Sequence, residues 1–152
     1  MSDDVRLLIA DDKARVDALD ASRSFIVQAP AGSGKTELLI QRYLRLLSLV
    51  QEPEEVLAIT FTRKAAFEMH SRINDALDMA REGVIADEAH RQKTIELAMA
   101  ALQRDQQHGW RLGESPHRMR IQTLDSFCAS IAASLPVSSG LGGVLTTIAD
   151  AE

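Results

Sequence analysis

The sequence predicts an α/β fold, a parallel sheet with flanking helices. Short apolar runs near 25–27, 56–61 and 119–123 alternate with amphipathic stretches at helical spacing. A Pro/Gly cluster separates the first apolar run from the first long amphipathic stretch. With 45% apolar and 26% charged residues in 152, the composition suits one domain with its own core.

Asp11 or Asp12 can cap a short helix through Ala14, Ala18 and Leu19. Phe25, Ile26 and Val27 then read as a buried first strand feeding a tight loop. Beyond the loop, Leu39, Tyr43, Leu46, Leu47 and Val50 form an apolar stripe opposite Glu37, Gln41, Arg42 and Arg45. Pro53 ends that helix, and residues 56–61 read as a second buried strand. Ala66, Met69, Ile73, Leu77 and Ala80 mark the next helix, with Lys64, Glu68, Arg72 and Asp75 left for solvent. Gly83 punctuates the chain before a helix through Ile95, Ala98, Met99 and Leu102, which fades by Gly109. After a connector at 113–116, residues 119–123 predict a third strand, and Phe127, Ile131 and Leu135 a final helix that Pro136 ends. Residues 137–152 read as a loop-like tail, a truncated continuation of the domain.

Seventeen Lys and Arg against 22 Asp and Glu give a formal charge of -5, so any nucleic-acid contact must be local rather than driven by a global positive field. The single cysteine, Cys128, cannot form an intramolecular disulfide, and no Cys/His cluster suggests zinc. The N-terminus lacks a basic segment and a long apolar core, and no stretch approaches a membrane span, so a cytoplasmic protein with no membrane contact is expected. His70, His90, His108 and His117 show no ligand spacing and read as surface residues, while Trp110 and Cys128 read as packing residues.

Residues 29–36 read Ala29, Pro30, Ala31, Gly32, Ser33, Gly34, Lys35, Thr36, the phosphate-loop pattern with alanine at its first glycine. The loop follows a predicted strand and opens a helix, so its backbone N–H groups can converge on phosphate oxygens. Gly32 and Gly34 permit the unusual dihedrals, Lys35 is placed to neutralise the β- and γ-phosphates, and the Thr36 hydroxyl to join Mg²⁺ coordination. No guanine-reading motif is visible, which favours ATP. The loop also serves kinases and other nucleotide-binding classes, so a small phosphate-transferring kinase and a non-catalytic ATP/DNA-binding remnant stand as alternatives.

Residues 60–69, Thr60-Phe61-Thr62-Arg63-Lys64-Ala65-Ala66-Phe67-Glu68-Met69, follow the second strand. By composition Phe61 reads as core, but it also offers a face for base stacking, with Thr62, Arg63 and Lys64 available to phosphates. Together with the phosphate loop, this segment resembles motifs I and Ia of UvrD/Rep-type superfamily 1 DNA helicases, nearest the AddA/RecB-like double-strand-break repair branch. Residues 121–128 resemble motif Ib, with Asp125 at the position where histidine is usual. The resemblance implies that Phe61, Thr62, Arg63, Lys64, Thr123 and Ser126 contact single-stranded DNA and that Lys35 and Thr36 are catalytic. Asp125 is expected to cap the last helix, and Arg118 and Arg120 to add local positive charge.

The implied fold is the P-loop NTPase, RecA-like core of a helicase domain 1A, present as an incomplete N-terminal portion over 1–136 with a helical insertion near 84–108. As part of a whole enzyme it would couple ATP hydrolysis to 3′-to-5′ translocation, with a second helicase/nuclease protein as a possible partner. Hydrolysis in that family also needs a strand-end acidic pair and arginines from a second domain, so the chain alone is expected to be incompetent. Asp87-Glu88-Ala89-His90 spells an acidic box of another helicase superfamily, but it precedes the Ib-like segment and reads as a helix start. Ala14 stands where the family's adenine-reading glutamine is usual.

Overall fold

A computed structural model describes residues 13–30 and 32–134. The Asp11/Asp12 cap, Ala31, Leu135, Pro136 and the tail lie outside the described residues. After a helical turn at 13–17 come helix α1 (Lys35–Leu47), strand β1 (Leu57–Thr60), helix α2 (Arg63–Glu82), helix α3 (Ala89–His108), strand β2 (Arg120–Thr123) and helix α4 (Leu124–Ser134). β1 and β2 pair in parallel, with Leu57 opposite Arg120 and Thr60 opposite Thr123. The connection between them carries α2 and α3, as parallel neighbours require.

The first predicted strand is not a strand here. Residues 25–27 have no ladder partner, and Ile26 is 99% exposed. Side-chain contacts hold this segment instead: the Arg23 and Arg42 guanidiniums lie 5.1 and 5.3 Å from the Phe25 ring centre. Arg42 also donates to the carbonyls of Ala18, Asp20 and Arg23, at 2.5, 3.2 and 2.8 Å. Three apolar residues without an adjacent strand edge leave their ladder groups unpaired, so their burial as a strand depends on a neighbour the described sheet does not provide.

The core lies among α1, α2 and α3. Ile40, Tyr43, Leu44 and Leu47 of α1 meet Met69, Ile73, Ala76 and Leu77 of α2 and Leu97, Ala98, Ala101 and Leu102 of α3. The stripe expected on α2 is therefore the buried one, though Ala66 and Ala80 are only partly covered. α1 is rotated from its expected orientation: Leu39 is exposed and Gln41 is buried. Gln41 tolerates this because its amide donates to Thr94 Oγ1 at 3.0 Å and to the His90 carbonyl at 3.1 Å. Thr94 in turn contacts the Glu37 carboxylate, so a polar seam fixes α3 against the helix that follows the loop. On α3, Met99 is exposed rather than core, while Thr94 and Asp105 are buried.

The ends of this core are closed by polar contacts to backbone. Trp110 is 2% exposed, and its indole N–H donates to the Gln51 carbonyl at 2.9 Å, in keeping with a packing role. His70 is not a free surface residue: Asn74 donates to its Nδ1 at 3.0 Å, which leaves Nε2–H to donate to the Pro116 carbonyl at 3.2 Å. Cys128 is exposed on α4, a helix that buries no residue among those described, so it does not pack as expected. Burial, with a smaller push from Glu54, raises the Tyr43 phenol well above its usual range and keeps it protonated.

Arg118 is not spare positive charge. It contacts Glu54 at 2.6 Å and Glu52 at 2.8 Å, clamping the approach to β2 onto the turn before β1. That hydrogen bond, more than the surrounding charges, holds the Glu54 carboxyl below its ordinary 4.5. A carboxylate depressed on folding stabilises the fold above its unfolded pKa, and this contribution disappears as pH falls through the lower folded value. From about pH 6 to about pH 3, the native chain should therefore lose stability that Glu54→Gln does not lose. Parallel unfolding profiles for the two proteins would remove this pair from the account of stability.

Candidate nucleotide and nucleic-acid site

The loop leads directly into α1. Gly32 and Gly34 have φ of 77° and 78°, and Gly34 is the N-cap of the helix. Any residue with a Cβ would be strained at both positions, and at Gly34 a Cβ would also lie 3.3 Å from Arg15 Nη1. The Lys35 ammonium folds back over the loop, donating to the Pro30 carbonyl at 2.6 Å and to the Ala29 carbonyl. Anionic phosphate oxygens could replace these neutral acceptors and make stronger, charge-assisted bonds. Arg15 reaches across from the helical turn to donate to the Ser33 carbonyl at 2.5 Å.

Two further observations fit a phosphate cradle. Ser33 Oγ is buried without a hydrogen-bond partner, a donor that a ligand oxygen would satisfy. Beside the loop lies a cleft of about 350 Å³ lined in part by Ala14, Arg15, Phe25, Ser33, Lys35 and Leu38. Thr36 is exposed in the first turn of α1. Among the described residues no group of three or more His, Cys, Asp or Glu gathers as a cation site. That donor set fits Mg²⁺ held mainly by water and phosphate with one protein hydroxyl, rather than an all-protein cage.

The parallel register brings the two other predicted segments to one edge. Thr60 lies opposite Thr123, so the segment starting at Phe61 and the one starting at Leu124 both leave the carboxyl ends of their strands side by side. Phe61 lies just beyond the end of β1 and is 92% exposed, so the strand stops one residue earlier than expected and the ring is not core. Thr62 is the N-cap of α2, its hydroxyl accepting from Ala65 N–H at 3.1 Å. Arg63 and Lys64 are exposed, and neither forms an ion pair with another described residue.

The motif Ib-like segment departs from expectation at its cap. Thr123, not Asp125, performs it: Thr123 Oγ1 accepts from Ser126 N–H at 3.2 Å and donates to Ser126 Oγ at 2.9 Å. The β-strand backbone aims the Thr123 side chain at the first turn, whereas Asp125 already lies inside the helix and is exposed. The Thr123 hydroxyl is therefore committed to the helix, and Ser126 is the more exposed of the two. The Asp87 and Glu88 carboxylates stand in front of α3, with Glu88 3.3 Å from His90, and no strand precedes them.

Arg15 was not singled out by sequence reasoning, because its approach to Ser33 spans 18 residues with no motif to announce it. Phe67 was also passed over, although an aromatic beside, rather than within, the apolar stripe of α2 was a readable signal.

A glycine-rich phosphate-loop motif opening a helix, beside a parallel strand edge with an exposed ring and unpaired cations, defines an α/β nucleotide-binding class of protein. The chain belongs to the family described as UvrD/REP helicase N-terminal domain, which its residues 11–148 match. It is similar to the AddA component of the ATP-dependent helicase/nuclease of Clostridium perfringens (strain ATCC 13124), 35% identical over 111 residues, 71% of this chain and 7% of that protein. The proteins of the same name from Desulfitobacterium hafniense (strain DSM 10664 / DCB-2) and Lactobacillus helveticus are 45% identical over 69 residues and 43% identical over 67. Each of these two alignments covers 43% of this chain, and 5% and 6% of the respective relative. The chain thus spans only 5–7% of the length of these relatives. No solved structure matches it. Among the described residues no helix is long and apolar enough to cross a membrane.

Proposed function

We propose that the chain is the ATP-binding portion of an ATP-dependent DNA helicase acting in DNA repair and recombination in the cytoplasm, as part of a RecA-like motor domain. The observation that carries the reading is the pair of left-handed glycines at the mouth of α1 with Lys35 folded across them. In use, Lys35 leaves the Ala29 and Pro30 carbonyls for the β- and γ-phosphates, while loop N–H groups and Ser33 Oγ hold the remaining oxygens. Thr36 is the protein ligand to Mg²⁺, which when bound neutralises charge on the same phosphates.

Phe61 stacks on a base of single-stranded DNA, Arg63 and Lys64 hold adjacent phosphates, and Ser126 with Thr123 completes the edge. The 3′-to-5′ direction of travel and association with a second helicase/nuclease protein belong to the same proposal. Turnover also requires a metal-holding carboxylate and an arginine finger worth about 10³ to 10⁵ in rate, so the chain by itself should bind ATP and hydrolyse it negligibly.

The test uses both faces. Mg-ATP should bind the chain, and Phe61→Ala should weaken oligo-dT binding about tenfold at fixed low salt while leaving nucleotide affinity unchanged. Anisotropy titrations that do not distinguish Phe61→Ala from the native chain would defeat the DNA-edge assignment.

A further inference from the structure

α2 turns Met69, Ile73, Ala76 and Leu77 into the core. Phe67 lies two residues before Met69, on the opposite side of the helix at about 3.6 residues per turn, and is 77% exposed. Arg63 and Lys64 precede it by four and three residues and share its face. The first turn of α2 carries no acidic residue, and the neighbouring Glu68 is taken up by Arg72 at 3.3 Å. An exposed ring beside two cations with no described ion-pair partner is complementary to a polymer of flat bases joined by phosphates. A purely apolar partner would leave both charges without a counterpart.

We propose that Phe67 is a second base-stacking platform for single-stranded nucleic acid, working in series with Phe61. The inference rests on the DNA-edge reading and deepens it. From Thr62 to Phe67 the helix rises about 7.5 Å. That is about two base steps of 3.4 Å along a strand. Phe61 is itself 92% exposed, so neither ring covers the other and both are open to bases. Arg63 and Lys64 lie between them in sequence and meet the intervening phosphates.

The chain's one native tryptophan, Trp110, is buried, so Phe67→Trp and Phe61→Trp each add one exposed indole reporter. Oligo-dT should quench the added emission in both variants. Phe67→Ala and Phe67→Leu should each weaken oligo-dT binding about tenfold, while Phe67→Tyr retains it. Quenching of Phe61→Trp without quenching of Phe67→Trp overturns the second platform alone, whereas loss of quenching in both overturns the DNA edge with it. A concentration-dependent blue shift of Phe67→Trp emission without DNA also overturns the proposal, assigning the ring to contact between copies of the chain.

Discussion

Lys35→Ala is expected to abolish measurable Mg-ATP binding. Hydrogen bonds to charged groups contribute about 1.5–3 kcal/mol each, so two from the ammonium to phosphate oxygens come to about 3–6 kcal/mol. The contacts Lys35 already makes to Ala29 and Pro30 must be given up on binding and offset part of this. A net loss of about 10²-fold or more in affinity remains. Lys35→Arg keeps the charge, but its planar fork does not reproduce a compact ammonium with three rotatable donors, so it should rescue binding poorly. Lys35 sits on the loop, outside the hydrophobic core, so both variants should fold with an unchanged circular dichroism spectrum. Calorimetry that gives Lys35→Ala the native affinity would show that the loop is only a turn between two segments.

The second large effect is on stability and tests the orientation of α1. Leu44 is fully buried among the three long helices, whereas Leu39 on the same helix is 52% exposed. Leu44→Ala should cost about 2–5 kcal/mol through lost burial and a residual cavity. In a chain of this size, that lowers Tm by about 5–15 °C. Leu39→Ala should stay within about 0.5 kcal/mol of the native chain. Equal costs for the two variants would return α1 to the orientation that its apolar stripe suggested, with Leu39 inward and Gln41 in water.

The comparison of α1 and α2 shows how far periodicity can be read. On α2 the apolar positions are few and regularly spaced, so Met69, Ile73 and Leu77 could face only one way. On α1 leucine or isoleucine stands at 38, 39, 40, 44, 46 and 47, more than one face can bury, and hydrophobicity alone leaves the rotation open. The partner that decided it was polar and distant: Thr94 and the His90 carbonyl satisfy Gln41 across 53 and 49 residues. Asp125 failed as a cap for a similar reason. Its type suits the role, but the helix begins one residue earlier, at Leu124, with Thr123 already in place.

The site divides along the same line. The phosphate loop was legible because each demand is met by residues adjacent in the chain: glycines at left-handed positions, a lysine one residue into the helix and a hydroxyl after it. The approach of Arg15 to Ser33, the partnerless Ser33 hydroxyl and the alignment of Thr60 with Thr123 carry no local signature.

What the sequence by itself determined is the loop, the two paired strands, the long helices and the kinship with a helicase family, since these depend on local spacing and side-chain type. Only the tertiary structure decided that residues 25–27 stay unpaired, that Gln41 goes inward and Leu39 outward, that Arg118 is neutralised, and that Phe61 and Phe67 stand in solvent. The physical reason is that burial and pairing belong to two surfaces at once. A residue's own neighbours in sequence specify one surface, and the other is supplied by a segment tens of residues away.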